Sequence, residues 1–598
     1  MTEENKNSVV IIGAGPAGLT AAYELCKADI ESIVLEKDDI VGGISRTVNY
    51  KDYYFDIGGH RFFTKVRVVD EMWRQVLKED FLRRNRQSRI YYKKKYFYYP
   101  LRTFNALLGL GILKSLLILL SYFRAQIFPE KPEQTFEQWV SNRFGKRLYQ
   151  TFFKAYTEKV WGRPCSEISA KWAAQRIKGL SLLTAVKNAV LGQNSHKKVG
   201  AIKTLIDNFD YPKKGPGMMW EAVADIVQKK GSQVRFGSNA KKIHWNNHKV
   251  ESVEIKVDGR REVFKGTHFI SSMPLRELIQ IFEPRVPDQV MQAAMNLKYR
   301  DFITVALIIN KAHVSLDNWI YIHDPQVKVG RIQNFKNWSP HMVPDPNKTC
   351  LGLEYFCFEG DELWTMTDRE LIALGRKELE VLGLAQASEI FDGAVVRMPK
   401  AYPVYESNGD GSLLILRQFF RRINNLQVVG RNGMHKYNNQ DHSMLTAMMA
   451  VENILGANHD LWQVNTDQEY SEEISTKQLV EDQVSLTTIK RAFARMDKFA
   501  FAAALGSVCG LGIFFATIWL IIVGGEVIGP NLQLLNQYFI GYTVSFKGAF
   551  IGMGYSMLWG FLFGWLFAYL RNLGLSLFLY RVKRKAELLS LRDFFDHF

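Results

Sequence analysis

Residues 9–27 read VVIIGAGPAGLTAAYELCK, in which a short apolar run, a glycine-rich turn and a helical pattern follow one another directly. Val9 to Ile12 have the length and the β-branched content of a buried strand, and Leu19 to Lys27 have the spacing of a helix. A second strand is predicted at Ile33 to Leu35. This part of the chain therefore forms one βαβ unit of a doubly wound α/β domain.

The glycine turn contains Gly13, Gly15 and Gly18 in GxGxxG spacing. Between a strand and the N-terminus of a helix, this spacing lets backbone amides and the helix dipole bind a pyrophosphate. Glu36 ends the second strand, where its carboxylate can accept hydrogen bonds from the hydroxyls of an adenosine ribose. Together these residues predict a dinucleotide site.

A second glycine pair, Gly42 and Gly43, follows the acidic residue and precedes Arg46. FAD-binding members of this fold usually carry such a pair, whereas a simple NAD domain does not require one. The sequence therefore predicts FAD as the cofactor. The alternative, a glycine turn without a ligand, would leave the acidic residue and the second pair unexplained.

Composition limits the remaining classes of function. The 598 residues are enough for two or three domains. The net charge is +17, but the basic residues form no continuous basic helix and there is no zinc-finger spacing, so no nucleic acid partner is predicted. An anionic membrane face or a phosphorylated substrate fits the charge better. The five cysteines form no CxxC pair, and no metal site or disulfide framework is predicted. The N-terminal residues lack the features of a signal peptide, and we expect a cytoplasmic body.

Two uncharged apolar segments, 499–523 and 548–570, are each long enough to cross a bilayer, for which about 20 residues suffice. Basic residues lie before the first segment and after the second, which predicts that both termini are cytoplasmic. The alternative is a pair of buried core helices. Close packing of the two helices is predicted from glycines at 506, 510, 512, 552, 554, 560 and 564.

Two further segments leave alternatives open. The apolar stretch Phe104 to Phe123 is interrupted by Lys114 and fits either a helix lying in a membrane interface or a helix packed in the core. The basic aromatic run RIYYKKKYFYYPLR, Arg89 to Arg102, could face anionic headgroups or form a hairpin with a solvated lysine turn.

The predicted fold class is α/β: a Rossmann-type FAD-binding domain with inserted helical and antiparallel-sheet substrate domains, plus a C-terminal two-helix transmembrane hairpin. Its predicted parts are a body at 1–462, a polar linker at 463–498, spans at 499–523 and 548–570, and a basic tail at 571–598. Within the body we expect a discontinuous FAD domain at about 1–80, 215–275 and 400–462, a helical insertion at about 100–210 and a sheet region at about 276–400.

Several motifs resemble those of the UDP-galactopyranose mutases. FDIGGHRFFTK, Phe55 to Lys65, resembles the histidine loop that follows the FAD fingerprint of that family. Similar blocks follow in order: YYPLRTFNAL (98–107), KAYTEKVWGRP (154–164), FDYPKKGPGMMWEAV (209–223), VKVGRIQNF (327–335), KAYPVYE (400–406) and VVGRNGMHKYNNQDHSMLTAMMAVENIL (428–455). With the apolar hairpin added, the chain resembles the membrane pyranofuranose mutases, which are thought to rearrange sugars attached to a polyprenyl phosphate.

The resemblance implies a redox-neutral reaction in which reduced flavin forms a bond from N5 to the anomeric carbon while the sugar ring opens and recloses. It implies residue roles in three groups. The catalytic group is Arg331, His60 and, on looser similarity, Arg176; the substrate-binding group is Tyr402, Tyr437, Trp161, Tyr156 and Asn439; and the cofactor group adds Gly59, His60, Arg431 and Asp441 to Gly13, Gly15, Gly18, Glu36, Gly42, Gly43 and Arg46. Asn439 stands where the soluble mutases carry an aspartate.

The function predicted from the resemblance is the interconversion of galactopyranose and galactofuranose, or of a similar hexose, on a polyprenyl-phosphate carrier at the cytoplasmic membrane, within cell-surface glycan or O-antigen biosynthesis. One alternative is a membrane-bound mutase of the nucleotide sugar. Another is an FAD-dependent oxidase or desaturase of the protoporphyrinogen oxidase or phytoene desaturase type, and a third is a noncatalytic scaffold. Expected partners are the lipid-linked substrate, the membrane, a second copy in a homodimer, and a glycan flippase or glycosyltransferase.

Overall fold

The structure is a computed structural model, and it describes residues 8–99, 105, 109–170, 208–246, 248–257, 259–404, 409–465, 497–524 and 529–595. Two compact units make up the chain, Met1–Ile474 and Ser475–Phe598, which we name the body and the C-terminal unit. The finer domain boundaries given above stay predictions.

The strands of the described chain belong to sheets of the body. In chain order they are β1 Val9–Ile12, β2 Ser32–Leu35, β3 Thr47–Tyr50, β4 Tyr53–Asp56, β5 Phe81–Asn85, β6 Ser88–Tyr92, β7 Lys95–Tyr98, β8 Asn208–Pro212, β9 Gln233–Arg235, β10 Asn239–Trp245, β11 Val250–Val257, β12 Arg260–Lys265, β13 His268–Ser271, β14 Phe282–Glu283, β15 Lys298–Ile309, β16 Trp319–Ile322, β17 Arg331–Asn334, β18 Thr349–Cys357, β19 Ile390–Val404 and β20 Leu426–Val428.

The helices of the body and of the C-terminal unit are numbered together. They are α1 Pro16–Lys27, α2 Arg67–Leu77, α3 Ile112–Ile127, α4 Phe136–Phe144, α5 Lys146–Tyr149, α6 Ala155–Trp161, α7 Gly217–Lys229, α8 Leu275–Gln280, α9 Asp288–Met295, α10 Phe335–Trp338, α11 Glu362–Thr365, α12 Asp368–Val381, α13 Gly409–Phe420, α14 Gln440–Ile454, α15 Lys498–Val523, α16 Pro530–Gln533 and α17 Phe546–Phe595.

A five-stranded parallel sheet forms the first layer of the body, in the order β20-β13-β1-β2-β9. β1 lies at its centre and all four of its residues are buried, which is why the run VVII is apolar at every position rather than at alternate ones. Helices α1, α7 and α14 share one apolar core with this sheet. The predicted Rossmann-type domain is confirmed.

A seven-stranded sheet forms the second part of the body, in the order β19-β15-β18-β17-β16-β6-β7. Its neighbours pair antiparallel except for β16 and β6, and β18 is buried along its whole length. β6 and β7 form a hairpin whose turn contains Lys93 and Lys94, both at positive φ. The hairpin interpretation of the basic aromatic run is therefore the one that the structure shows. The inserted antiparallel sheet of the predicted fold class is also confirmed.

The helical insertion comprises α3 to α6 in the described chain. α3 packs one face on α4 and α5, and the turn at Gly145 is so close to α3 that a Cβ there would lie 2.7 Å from the backbone nitrogen of Tyr122. A π-helical segment, Gln150–Lys154, connects α5 to α6. Such segments often occur near functional sites.

In the C-terminal unit, α15 and residues 546–574 of α17 are long and apolar enough to cross a membrane, judged by length and composition. The two helices approach each other at glycines: a Cβ at Gly560 would lie 2.9 Å from the Cα of Gly506, and a Cβ at Gly564 would lie 2.9 Å from the Cα of Ala502. Gly512 and Gly554 face open space instead. Close packing is thus confirmed at some of the predicted glycines and absent at these two.

Candidate functional site

The two glycine turns of the parallel sheet come together to form a cradle. A Cβ at Gly18 would lie 1.8 Å from the carbonyl oxygen of Gly13, and a Cβ at Gly43 would lie 3.3 Å from the Cα of Gly15. Gly15 is the N-cap of α1, and no side chain caps that helix. The first amides of α1 are therefore left to a ligand, and the lack of side chains lets a pyrophosphate approach them closely.

Glu36 lies at the edge of this cradle. Its carboxylate is buried and accepts hydrogen bonds from the backbone nitrogens of Ala14, at 2.6 Å, and of Asp38, at 3.0 Å. Burial raises the pKa of Glu36 above its usual range, although these two bonds act in the opposite direction. Arg46 pairs with Asp38 at 2.7 Å. Two backbone hydrogen bonds thus fix the Glu36 carboxylate where an adenosine ribose would bind. The residues of the cradle therefore fit a dinucleotide.

The segment from Gly430 to α14 packs against α1. A Cβ at Gly430 would lie 3.1 Å from the Cβ of Ala17, and the Gly430 nitrogen donates to Thr446 Oγ1 at 3.1 Å. Asn439 is the N-cap of α14, and its backbone nitrogen donates to Nδ1 of the histidine three positions on at 3.3 Å. Asp441 is buried in the first turn of the same helix. The substrate role of Asn439 and the cofactor role of Asp441 stay predictions.

The histidine loop passes close to β17 because it carries two glycines. Gly58 has a φ of +93°, and a Cβ at Gly59 would lie 2.8 Å from Gln333 Nε2. The next residue, His60, has a buried Nδ1 without a hydrogen-bond partner among the described residues. Burial, with the charges of Arg431 and Arg331, lowers the pKa of His60 to about 3. The imidazole is therefore neutral, and its Nδ1 is available to a ligand.

Arg331 begins β17 and is held by a carboxylate on β18. Its Nε donates to Glu354, and Gln333 donates to the other oxygen of that carboxylate at 2.7 Å. Glu354 is fully buried, and the attraction between the two charges raises the pKa of Arg331 although burial lowers it. The ion pair through Nε leaves the two terminal nitrogens of the guanidinium for a second anion.

Two tyrosines and Arg431 form the next part of the site. The rings of Tyr402 and Tyr437 stack with centroids 5.7 Å apart, and the Arg431 guanidinium lies 5.5 Å and 5.0 Å from their centroids. Arg431 donates to the backbone oxygens of Asn438 and Ala401 at 2.8 Å and 3.0 Å, which fixes its position. Burial raises the pKa of Tyr402 to about 12, although the charge of Arg331 opposes the shift. The phenol is therefore a neutral hydrogen-bond donor.

α6 supplies a further aromatic wall. Tyr156 stacks on His323 with centroids 4.8 Å apart and packs edge-on against Tyr321 at 5.5 Å. Burial raises the pKa of Tyr156 well above its usual range, although the charge of Arg331 acts against that shift. Trp161 ends α6 and is partly exposed. Gly162 follows with a φ of +63°, and a Cβ there would lie 2.6 Å from Nη1 of Arg300.

Six of the predicted site residues are therefore linked by ring contacts or by the effect of one group's charge on another's pKa: His60, Arg331, Arg431, Tyr402, Tyr437 and Tyr156. Arg176 lies outside the described residues. Sequence reasoning missed Glu354 and Gln333, the partners that hold Arg331. The signal was present for Glu354, because it is the one charged residue in the apolar run TCLGLEYFC of β18.

Comparisons with known proteins identify the family and the fold of the body. The family described as "Flavin containing amine oxidoreductase" matches residues 16–473. A solved structure of reduced UDP-galactopyranose mutase has a TM-score of 0.67 at 20% identity and covers 77% of this chain and 98% of that one. A putrescine oxidase bound to putrescine has a TM-score of 0.52 at 17% identity and covers 75% and 99%. At these identities both show the fold alone.

Among curated relatives, an L-amino-acid oxidase from Crotalus adamanteus is 26% identical over 328 residues. That match covers 51% of this chain and 58% of the relative's length. The chain thus matches little more than half of this oxidase. The predicted cofactor, FAD, is confirmed by the family.

Proposed function

The chain belongs to the flavin containing amine oxidoreductase family and uses FAD, and from this premise we propose that it is a pyranose–furanose mutase acting on a hexose attached to a polyprenyl phosphate. Galactose is the sugar that we take as the default. The observation that carries the proposal is a pair of guanidiniums: the charges of Arg331 and Arg431 both lower the pKa of the buried His60, and Arg431 lies 5.5 Å and 5.0 Å from the two tyrosine rings.

The charge of this site argues for an anionic ligand. Arg331 and Arg431 contribute two positive charges; among the described residues Glu354 pairs with Arg331, whereas Arg431 donates to backbone oxygens. The phenol of Tyr402 is neutral and can donate a hydrogen bond. A phosphate group accepts hydrogen bonds from guanidinium and phenol groups and carries the opposite charge to the two arginines. A protonated amine substrate would be repelled by their positive charge.

The same groups disfavour a wholly apolar substrate. Burying an apolar chain against Arg331 would remove water from its terminal nitrogens without replacing the hydrogen bonds, which costs about 1–3 kcal/mol for each buried group left unsatisfied. A sugar phosphate brings its own acceptors to these nitrogens. The polarity of the site therefore supports the mutase over a desaturase of apolar substrates.

When bound in its reduced form, FAD would supply the electron pair that the anomeric carbon accepts as the phosphate leaves. Arg331 would hold the departing phosphate through the nitrogens that Glu354 leaves available, and its contribution would grow as negative charge develops there. Tyr402 would donate its phenol hydrogen to the same group. His60, neutral at physiological pH because its pKa lies near 3, would orient the ligand through Nδ1.

The attachment of the sugar to a lipid is supported by the C-terminal unit. A nucleotide sugar dissolves in water, and an enzyme for it gains nothing from two apolar helices such as α15 and α17. A polyprenyl-phosphate sugar is met only at a bilayer, and the two helices are long and apolar enough to keep the enzyme there. The cytoplasmic side, the homodimer and a flippase or glycosyltransferase partner remain parts of this proposal.

The test uses the purified full-length protein in lipid nanodiscs, reduced with dithionite. It is incubated with polyprenyl-phosphate galactose or with UDP-galactose, and the ring form of the product is read by chromatography. Turnover of the lipid-linked sugar without consumption of reductant is the expected result. Turnover of the nucleotide sugar alone would refute the lipid-linked substrate and would still support the mutase activity.

Two further measurements separate the mutase from the oxidases that share its family. Oxygen consumption on addition of amino acids, amines or apolar polyenes would contradict the proposal. Reduction of the working enzyme with cyanoborohydride, followed by mass spectrometry of the flavin, should yield FAD increased by the mass of one hexose unit. A flavin of unchanged mass in protein that is turning over would refute the covalent chemistry.

A further inference from the structure

The exposed face of α3, Ile112–Ile127, is strongly apolar. Its large hydrophobic side chains recur with helical spacing, and each is exposed by between 51% and 74%. They are Leu113, Leu116, Leu120, Phe123 and Ile127, followed directly by Phe128. We name this set the α3 stripe. A surface of this extent usually indicates a binding partner, because single exposed apolar residues are common but rows of them are not.

The opposite face of α3 is firmly attached to the body. Ser115, Ile118 and Tyr122 are buried, again with helical spacing. Gln126 Nε2 donates to the backbone oxygen of Asn142 at 2.8 Å, and the Arg147 nitrogen donates to Ser121 Oγ at 3.2 Å. The helix therefore belongs to the fold of the body, and its outward face is a surface of the folded body rather than part of an undocked element.

The rest of the described body shows no comparable row. Its other large apolar side chains that are exposed by more than half come from different elements. These are Val68, Val263, Leu316, Phe391, Leu414 and Leu455. Half of the strongly exposed apolar side chains of the described body thus belong to the α3 stripe, and the others provide matched controls for it.

Charge distinguishes a bilayer from other occupants of this surface. α3 contains no acidic residue, and the exposed Lys114 and Arg124 lie on it, with the exposed Lys146 and Arg147 of α5 beside it. An apolar row bordered by basic side chains is the pattern of a helix that lies in the interface of an anionic membrane, with its apolar face among the acyl chains. The chain also carries two helices that can span a bilayer.

We propose that the α3 stripe inserts into the cytoplasmic leaflet of the membrane, so that the body contacts the bilayer at a second place besides the C-terminal unit. The contact belongs to the body itself. It does not depend on which substrate the enzyme uses, because the α3 stripe lies outside the residues that face His60 and Arg331.

Site-specific fluorescence on the full chain tests the contact. Of the cysteines, Cys26, Cys165, Cys350 and Cys357 are buried, so a Cys509→Ala background offers a single labelling site after Leu116→Cys or Leu120→Cys. Each variant is labelled with an environment-sensitive fluorophore and placed in nanodiscs that contain anionic lipid, one protein molecule to each disc. Leu316→Cys, the same residue type outside the α3 stripe and more exposed, at 75% against 53% and 56%, is the control.

Lipids with a spin label on the acyl chain should quench the labels at Leu116 and Leu120 at least threefold more than the label at Leu316, and dissolved iodide should quench them less. Equal quenching at all three sites would overturn the proposal. Protection from iodide without quenching by the lipids would also overturn it, because a protein partner would then cover the α3 stripe. The readout needs no enzyme activity, so its failure is distinct from failure of the proposed function.

Discussion

Replacing Arg331 by lysine is expected to reduce kcat/KM for the sugar phosphate by about 10- to 100-fold while leaving the FAD content unchanged. The guanidinium has separate nitrogens for two anions: Nε for Glu354, and the terminal pair for the departing phosphate. A lysine ammonium is a single point charge on a longer, more flexible stem. A lysine at this position would therefore bind either Glu354 or the departing phosphate more weakly than Arg331 does.

The magnitude follows from the strength of the hydrogen bond that lysine cannot replace. A hydrogen bond to a charged group contributes about 1.5–3 kcal/mol. With about 1.4 kcal/mol for each tenfold change in rate, the loss of one such bond in the transition state corresponds to about 10- to 100-fold. FAD binding should not change, because Arg331 lies on β17 and the glycine cradle is built on β1 and β2.

The assay measures initial rates of product formation by the reduced enzyme over a range of substrate concentrations, with the flavin absorbance per protein taken on the same samples. Arg67→Lys is the matched control, because Arg67 is a strongly exposed arginine that pairs with Glu71 on α2. If Arg331→Lys keeps its activity within about twofold of the parent protein at full FAD content, the role assigned to Arg331 is wrong. An equal loss in Arg67→Lys would show that the effect is not specific.

Three further outcomes are expected. Gly43→Ala should lose most of its FAD, as judged by flavin absorbance, because the added Cβ would lie 3.3 Å from the Cα of the other glycine turn, whereas Gly237→Ala, which has a similarly positive φ but open space around it, should keep it. Burial raises the pKa of Asp56 to about 7, so between about pH 4 and about pH 7 the folded protein holds a proton that the unfolded chain releases. The melting temperature should therefore fall as the pH rises from about 4 to about 7 and then level off. The Asp56→Asn variant should show a flatter dependence of melting temperature on pH. Gly560→Leu should lower the thermal stability of the C-terminal unit in detergent, whereas Gly554→Leu, at a position that faces open space, should leave it within error.

Local spacing explains why part of the site could be predicted. Gly13, Gly15 and Gly18 act within one turn of the chain, so their order along the sequence is also their arrangement in space. The side chain of Glu36 bonds to Ala14 because β1 and β2 are neighbouring parallel strands of one βαβ unit. Apolar length likewise indicated α15 and α17 without any tertiary information.

Other features depended on pairing between distant strands. Glu354 reaches Arg331 only because β17 and β18 pair antiparallel with these two residues directly opposite each other. A shift of one residue would turn the carboxylate to the other face of the sheet. His60 likewise meets Arg331 and Arg431 only after three distant segments come together. The resemblance singled out these residues one by one, but it contained no signal for the carboxylate that holds Arg331.

The sequence by itself determined the glycine cradle for FAD and the apolar helices of the C-terminal unit. Each of these rests on residues that are close in sequence or on composition alone, which a linear pattern records. Only the tertiary structure decided that the His60 ring is buried and neutral, that Glu354 holds Arg331, and that α3 presents its apolar face outward. These properties arise from burial and from distances between remote segments, and neither quantity exists until the chain has folded.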